Sequence, residues 1–534
     1  MKKVVVTAAL PYANGELHMG HLRSTYLPAD IYTRFRNLVG DMAVYLCATD
    51  EHGTPILFRA EEQGVRPEEY VKQWRVRHLE DFQSVGIHFN RFFQTHSPEH
   101  IQLTQRMFEK LRQHTYKQKV PIFWCPAEQT TLPDRFVVGT CPFCEAPDQY
   151  GDQCEKCGKV IPFGELKEAR CKRCGTPAEV RDSEDLFFRL SAFASRLETF
   201  IREQLHAPED AKNFVMGWVR DGIKDWDIER RIPWGVPIPG HEGVFYVWFD
   251  APIGYMTTLF KWCGENHQKF EDWWNPQSEI VHFIGKDIAY HHFLFWPAML
   301  MASGFTLPTQ IPVRGYLNLE GKKLSKSRNW CISIQAWSEQ KQDPEYLRFY
   351  LTWITPSGLK DTDFSAVEYA QVVNSELVNN IGNLLQRTLK FSHQISGGKI
   401  DDVPLSDVFT KVVELKQKYH AEMLKCELSE GLRLVSEAGK LVNAYFQEKE
   451  PWKNREVAPE VIRTSASCLK LITHMLVPFL PKRAEKMATL LNCQLKWKDD
   501  DALPAGHKMA EAEILFPHVE DRDVKAIKSI YGAV

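Results

Sequence analysis

The sequence predicts an α/β fold: a Rossmann-like parallel sheet split by a cysteine-knuckle insertion and followed by an α-helical bundle. Three observations predict it. An apolar, β-type run from Val4 to Leu10 gives way through a turn to a helical pattern from about Gly20 to Gly40, and a second apolar run, Met42 to Ala48, follows. Cys141, Cys144, Cys154 and Cys157 form two C-x2-C knuckles well inside the chain. From about residue 370 onward the apolar residues recur at helical spacing. At 534 residues the chain is too long for one core. It is expected to divide into 1–115 and 232–320, the halves of the α/β domain; 116–231, the insertion; 321–370, a cationic loop and connecting region; 371–515, the helical domain; and 516–534, a tail folding back on the body.

The opening strand, helix and strand make a βαβ unit that puts His18 and Asp50 at C-terminal strand ends, where such sheets bind ligands. Pro28 lies inside the helix and is expected to kink it. Residues 67–118 read as helical. After Val120 the pattern breaks into short extended pieces carrying most of the cysteines, and strands and helices resume around 243–316. Leu377, Ile381, Leu384 and Thr388 fall on one helical stripe; Leu428, Leu432, Val435, Val442 and Phe446 fall on a later one.

Composition is that of a globular protein, with 44% hydrophobic and 25% charged residues. Net charge is only −3, so any nucleic-acid contact must use local basic surface. No apolar run approaches the roughly 18 residues of a membrane span, and the first strand begins too early for a targeting segment; a cytoplasmic setting is expected. Thirteen cysteines in such a chain argue for thiols or metal ligands rather than disulfides.

Two short runs carry the chemistry. In Pro11-Tyr-Ala-Asn-Gly-Glu-Leu-His18-Met-Gly-His21, Gly20 permits close approach of a ligand, the helix start favours an anion, and His18 and His21 can donate to phosphate oxygens. The second run, Gly321 to Ser327, holds Lys322, Lys323 and Lys326 with Ser325 and Ser327, and only Leu324 is apolar. A cationic loop of this kind suits charge that appears during reaction. The four knuckle cysteines have the spacing of a tetrahedral zinc site whose positions are all filled by protein, which makes it structural.

These runs resemble the HIGH and KMSKS signatures of class I aminoacyl-tRNA synthetases. The surrounding residues, CATDEHGTPI (47–56), DWDIERRIPW (225–234), YVWFDAPIGYM (246–256), HFIGKDIAYHHFLFWPAML (282–300) and GKKLSKS (321–327), resemble the methionyl-tRNA synthetase family in particular, in the same order from residue 3 to about residue 455. The resemblance implies that methionine and ATP form methionyl-adenylate and pyrophosphate, and that methionine then passes to the terminal adenosine of tRNA(Met), elongator and initiator. Mg2+ is expected with the ATP. No DNA or membrane partner is implied.

Carried over residue by residue, the resemblance assigns catalysis to His18, His21, Lys323 and above all Lys326. It assigns ATP to Tyr12, Asn14, His18, Gly20, His21, Gly285, Lys286, Asp287, Val313, Leu324 and Lys326. The methionine pocket maps onto Ala9, Leu10, Tyr12, Asp50, Arg230, Trp248, Ala251, Pro252, Tyr255, Ile288 and His292, with Asp50 taking the ammonium and Arg230 on the carboxylate side. A thioether suits polarizable aromatic walls and a weak hydroxyl or imidazole donor. His291 stands where bacterial relatives commonly carry phenylalanine, which bears on the polarity of the pocket wall. Asn383, Arg387 and Trp452 correspond to anticodon-reading positions, an amide, a guanidinium and an indole suited to unstacked bases. Two-zinc members interleave their sites, so Cys171 and Cys174 would join Cys125 and possess, three residues on, only Glu128 as a fourth ligand.

Rival readings fit less well. The leucine, isoleucine and valine synthetases carry a far larger editing insertion, and the cysteine enzyme puts zinc ligands in its catalytic pocket. A nucleotidyltransferase with the HxGH motif needs neither knuckles nor a helical domain, and a zinc-dependent RNA-binding protein with a dead core would not need His18, His21 and Lys326 intact.

Overall fold

A computed structural model of the chain describes residues 1–133, 136–151, 154, 156–157, 159, 161–325 and 330–532. Its central sheet has five strands, β1 (Lys3–Ala8), β2 (Met42–Thr49), β3 (Arg91–Gln94), β4 (Glu279–Gly285) and β5 (Val313–Arg314), all parallel, in the order β5-β4-β1-β2-β3. The chain winds outward from β1 to β3, then restarts at β4 on the other side of β1. The order therefore reverses between β1 and β4, the crevice where doubly wound sheets bind ligands.

Side chains alternate across β1. Val4, Val6 and Ala8 join a core with Leu27, Ile31 and Phe35, whereas Val5 joins Val44, Leu46, Met107 and Phe108 on the opposite face. The first face continues without a break into the C-terminal helices, so Leu377, Ile381, Leu384, Leu432 and Val435 belong to the same buried cluster as Val4. Both sequence stripes are buried along their length, with Thr388 at 0% exposure.

After β1 the chain turns into a short helical turn Met19–His21, a π-helical turn Leu22–Tyr26 and helix α1 (Leu27–Leu38). Pro28 sits in the first turn of α1, where its missing N–H costs little, and the π turn before it absorbs the deformation. The expectation of helix over 67–118 is corrected by the structure. Helix Pro67–Ser84 ends at Val85, the aromatic segment after it supplies β3, helix α2 (Pro98–Leu111) follows, and an extended strand begins at Thr115. Phe92 and Phe93 suit a half-buried pleated surface, and pairing with β2 decides their conformation.

Strand Thr115–Cys125 pairs antiparallel with Glu179–Phe188 over ten registered positions, and the knuckles hang at the end of this ladder in a small core of their own. The segment beyond it returns to the sheet: Leu190, Phe193, Leu197, Phe200 and Val215 pack in the cluster that contains Val5. Helices α3 (Val247–Asp250) and α4 (Ile253–Glu265) lead back to β4.

After β5, strands β6 (Leu317–Leu319) and β7 (Lys322–Lys323) form a hairpin, with β8 (Thr362–Phe364) parallel to β6 on the other side. The cationic loop read from the sequence is thus anchored at its base. Helix α5 (Pro344–Trp353) precedes the helical region, which contains a π-helical stretch Val373–Gly382, then α6 (Asn383–Ser396), α7 (Val408–Leu424), α8 (Leu428–Lys449), α9 (Ala458–Leu476) and α10 (Pro481–Leu491). A last helix, α11 (Asp521–Ser529), lies against helix Ala366–Val372. Around it the Tyr346 hydroxyl donates to the Pro517 carbonyl at 2.7 Å, and the Tyr531 hydroxyl donates to Glu320 at 2.8 Å. No helix among the described residues is long and apolar enough to cross a membrane.

Candidate active site

A cavity of about 650 Å³ opens at the reversal point between β1 and β4. One wall is the loop after β1, the other the turn after β4, and the sides come from the Asp50 loop and the segment around α3. Of the residues expected for methionine, Ala9, Leu10, Tyr12, Asp50, Arg230, Trp248, Ala251, Pro252, Tyr255, Ile288 and His292 all line it. Of those expected for ATP, Tyr12, Asn14, His21, Gly285 and Asp287 line it, while His18, Gly20, Lys286, Val313 and Leu324 do not. Lys326 and Ser327 lie outside the described residues.

At the helix start, His18 caps the turn: its Nδ1 accepts from the Gly20 N–H at 3.1 Å, and the His21 Nδ1 accepts from the His18 N–H at 3.3 Å. Each ring uses Nδ1 as an acceptor, which leaves the ring proton to Nε2. The rings stack, with centroids 3.7 Å apart. This modifies the sequence expectation of open backbone donors, because the Met19 N–H is also taken, by the Ile332 carbonyl at 3.0 Å. The backbone N–H groups of this turn are therefore largely spent within it and on the segment beyond the hairpin.

The two motifs are joined directly. His18 pairs with Ser333, and the Ile334 N–H donates to the Leu17 carbonyl at 3.0 Å, so the strand leaving the cationic hairpin is stitched to the histidine turn. Above the turn, a Cβ on Gly20 would come within 3.0 Å of both the His18 ring and the Leu324 side chain. Glycine is needed here because the hairpin closes down on it. Lys323 extends to the Tyr316 ring, 5.3 Å from its centroid, beside Lys286, which stands 4.4 Å from the same centroid and pairs with Asp361 at 2.6 Å.

The deep end of the cavity is aromatic and imidazole-rich. The His292 Nδ1–H donates to the Ile288 carbonyl at 3.1 Å, which leaves Nε2 to accept from the Tyr255 hydroxyl at 2.8 Å. Burial lowers His292 to about 4, and burial with the neighbouring His292 lowers His291 to about 3, so both rings are neutral at physiological pH. His291 stacks on Trp248, centroids 3.8 Å apart and planes 15° from parallel, and its buried Nδ1 makes no hydrogen bond. The consecutive histidines open a π-helical turn, His291–Phe295, a widened helical geometry often found at functional sites and invisible to a 3.6-residue pattern. Arg230 is steered into the wall by Asp227 at 2.8 Å and by the Tyr246 ring, 4.2 Å from its guanidinium. Asp50 is buried, and burial together with the charge of Asp250 raises its carboxyl well above the usual range, against a stabilising hydrogen bond from the His52 backbone. A cationic ammonium is the complement that such a carboxyl lacks.

Cys141, Cys144, Cys154 and Cys157 converge, with sulfur separations of 3.9 Å for Cys141 and Cys157 and 3.5 Å for Cys144 and Cys154. Four thiolates about 2.3 Å from a zinc ion stand about 3.8 Å apart, so this set fits the ion. Cys125, Cys171 and Cys174 also converge, with 3.5 Å between Cys125 and Cys174. Glu128 is not one of that group: its carboxylate faces Arg173 at 3.5 Å, and its backbone N–H donates to Cys125.

Far along the helical region, Asn383 is exposed and Arg387 lies one turn on. The Arg387 guanidinium sits 4.4 Å over the Phe446 ring and 5.5 Å from the Trp452 ring. Trp452 is 39% exposed and nearly parallel to Phe446, planes 16° apart. Phe446, read from the sequence only as a core residue, is thus the inner layer of this stack. His52, His100 and Asp250, which sequence reasoning did not single out, also cluster behind the cavity.

A reversed parallel sheet, a histidine helix start and a lysine hairpin bound to it are the architecture of the class I aminoacyl-tRNA synthetases. Comparison with known proteins narrows this. Residues 4–389 match the family described as tRNA synthetases class I (M), and residues 398–534 match the anticodon binding domain of methionyl tRNA ligase. A methionine–tRNA ligase of Methanopyrus kandleri is 41% identical over 99% of this chain and 82% of its own length, and one of Pyrococcus horikoshii is 39% identical over 98% and 76%. The fold is that of Mycobacterium tuberculosis methionyl-tRNA synthetase bound by methionyl-adenylate, with TM-score 0.80 at 22% identity, covering 97% of this chain and all of that one. The chain belongs to the methionyl-tRNA synthetase family.

Proposed function

We propose that this chain is the enzyme that activates methionine with ATP, releasing pyrophosphate, and transfers the methionyl group to the 3′-terminal adenosine of tRNA(Met). The observation that carries the reading is the single cavity wall shared by the Asp50, Tyr255 and His292 pocket and the His21 helix start, with the lysine hairpin tied to that start through Ser333.

Asp50 receives the substrate ammonium and Arg230 the carboxylate side, which aims a carboxylate oxygen toward the phosphates. Trp248, Tyr255 and His292 enclose the thioether with polarizable, uncharged surface. ATP lies across the β1–β4 crevice, its phosphates against His18 and His21, and Gly285 and Asp287 border its nucleoside end. When the carboxylate attacks the α-phosphate, negative charge grows on the phosphate oxygens and the leaving pyrophosphate. The Nε2 protons of His18 and His21, with Lys323 and Lys326, meet that charge by position, without covalent catalysis. Mg2+ accompanies ATP and would share that charge.

Cys141, Cys144, Cys154 and Cys157 hold a structural zinc, and Cys125, Cys171 and Cys174 offer a second, three-thiolate position. Residues 1–115 and 232–320 form the catalytic domain, 116–231 the insertion, 321–370 the hairpin and stem-contact region, and 371–515 the anticodon domain, where Asn383, Arg387 and Trp452 read bases. Both elongator and initiator tRNA(Met) are substrates in a cytoplasmic setting, and neither DNA nor a membrane is a partner.

The test is amino-acid-dependent exchange of pyrophosphate into ATP without tRNA. Exchange with methionine alone among the protein amino acids supports the reading; exchange with another amino acid, or none, overturns it. Replacing Lys326 by alanine should lower the exchange rate far more than it changes the KM for methionine.

A further inference from the structure

Behind the methionine pocket lies a cluster of ionisable side chains that the adenylation chemistry does not use. Asp250, His52 and His100 are each 0% exposed. The His52 Nδ1 hydrogen bonds directly to the Asp250 carboxylate, and the His100 Nε2 stands 3.7 Å from the same oxygen. Burial alone would raise the Asp250 carboxyl, but the imidazoles of His52 and His100 bring it below the ordinary range. An ionised carboxylate only accepts, so the proton in this bond resides on His52 Nδ1. Two histidines and a carboxylate can also hold a cation, yet the direct bond between His52 and Asp250 leaves no space for one between them.

The position of the pair is informative. His52 is two residues beyond Asp50. Asp250 closes α3, two residues after Trp248 and just before Ala251 and Pro252. The bond therefore ties together two chain segments that both line the amino-acid pocket. Gly53 shows how closely they meet: at φ +102° a Cβ there would lie 3.1 Å from the Tyr12 hydroxyl and 3.5 Å from Val247. The backbone of His52 contacts the pocket twice more. Its carbonyl accepts from the Tyr12 hydroxyl at 3.0 Å, and its N–H stabilises the Asp50 carboxylate. On its far side, the His52 Nε2 is 3.1 Å from His96 Nδ1, and His96 stacks on Trp234, whose Nε1–H donates to the Glu51 carbonyl at 2.7 Å. The His100 Nδ1 contacts the Thr257 hydroxyl on α4 at 3.0 Å.

We propose that His52 and Asp250 are positioning residues for amino-acid binding, a buried hydrogen-bonded pair that sets the Asp50 carboxylate against the Trp248–Pro252 wall. The proposal rests on the reading of this cavity as the methionine pocket. The pair acts in two ways. Geometrically, it fixes the width of the pocket across which an ammonium and a thioether must both fit. By hydrogen bonding, His52 also satisfies the buried Asp250 carboxylate, so that losing the imidazole would leave an unpaired buried charge and favour rearrangement of the wall that carries Trp248 and Pro252.

Steady-state pyrophosphate exchange on the full chain tests it, with separate titrations of methionine and ATP. His52→Leu and Asp250→Ala are expected to raise the KM for methionine by about tenfold or more, with kcat and the KM for ATP changed by less than about threefold. His52→Asn, which returns an N–H near the Nδ1 position, is expected to recover most of the loss. Should the stronger variants fail to fold, Asp250→Asn, whose Oδ1 still accepts from the His52 Nδ1–H, is expected to show a smaller shift in the same methionine-selective direction, and a shift confined to kcat or to the KM for ATP there overturns the proposal. A uniform fall in kcat with both KM values altered, or wild-type behaviour in His52→Leu, overturns the proposal. Activity of the wild type with methionine separates the two readings: if it is active and the variants match it, only the role of the pair falls; if it is inactive, the pocket reading falls and the pair's role with it.

Discussion

Replacing Trp452 by alanine should separate the two half-reactions. The indole is 39% exposed and forms the outer layer of a stack over Phe446 and Arg387, so its outer surface is available to an unstacked base. A base–aromatic stack contributes roughly 1–3 kcal/mol. At 1.4 kcal/mol per decade this is about a 5- to 150-fold loss in kcat/KM for tRNA. The substitution also removes buried area. An indole of about 250 Å² with roughly three-fifths covered buries about 150 Å², worth at most about 4 kcal/mol, and the local bundle will be less stable by some part of that. Trp452→Phe separates the causes, since a smaller ring keeps a stacking face. The assays are methionine-dependent pyrophosphate exchange without tRNA and charging of tRNA(Met). Exchange should remain within about twofold of wild type for both variants, with charging reduced strongly in Trp452→Ala and only modestly in Trp452→Phe. Equal losses in both assays would refute the reasoning, because they would make Trp452 a structural residue of a core that continues to the sheet. Unaltered charging would place base recognition elsewhere.

Three further outcomes are expected. Gly20→Ala should gain up to about 1 kcal/mol of helix propensity, yet lower pyrophosphate exchange by more than about tenfold, because the new methyl would meet both the His18 ring and Leu324 at 3.0 Å; full activity would show that the hairpin moves aside freely. Purified protein should contain at least one equivalent of zinc, and Cys144→Ser should release it while changing knuckle stability more than the KM for methionine; metal analysis below one equivalent contradicts the four-cysteine site. Stability should fall on acidification below about pH 6.5, because His292 and His474 remain neutral in the fold down to about 4 while the unfolded chain protonates first. Their contribution is complete above pH 6.5 and lost as the pH falls towards 4, roughly 3 kcal/mol for each group; urea midpoints that rise between pH 7 and pH 5 would contradict this sign.

The parts legible in the sequence are those where local pattern and tertiary role agree. The opening βαβ unit, the knuckle spacing and both helical stripes are of this kind, because each is decided by periodicity or by ligand geometry within a short window. Strand β3 was not legible, since Arg91–Gln94 is four residues long and closely follows the helix Pro67–Ser84; only pairing with β2 makes it a strand. The π-helical turns were likewise hidden, as one inserted residue shifts the apolar phase without leaving a compositional mark. Within the site, family motifs located the pocket walls, but not what stands behind them. His52, His96, His100 and Asp250 come from three distant segments, and no spacing rule connects residues 52, 100 and 250.

The same geometry explains why the two signature motifs occur as a pair. A lysine on a free hairpin would lose its entropy anew at each reaction cycle, and its charge would be placed only loosely against the phosphates. Here Ser333, beyond the hairpin, is bridged to His18, Leu324 rests near Gly20, and the Trp330 indole N–H donates to the Leu319 carbonyl at 3.1 Å, so the hairpin is closed on itself and tied to the turn that carries His18 and His21. Arg23, two residues further along that helical run, is buried and donates to the Gly315 carbonyl at 2.6 Å and to the Thr355 hydroxyl at 2.9 Å, holding the ends of β5 and α5 to the same run. Arg348 on α5 extends the linkage, bonding Asp30 on α1 at 2.7 Å and the carbonyls of Pro478 and Phe479 between α9 and α10 at 3.1 and 2.9 Å. The helical region and α1 are therefore joined through a buried guanidinium with partners on both, and His18 and His21 sit at the start of the helical run that leads into α1.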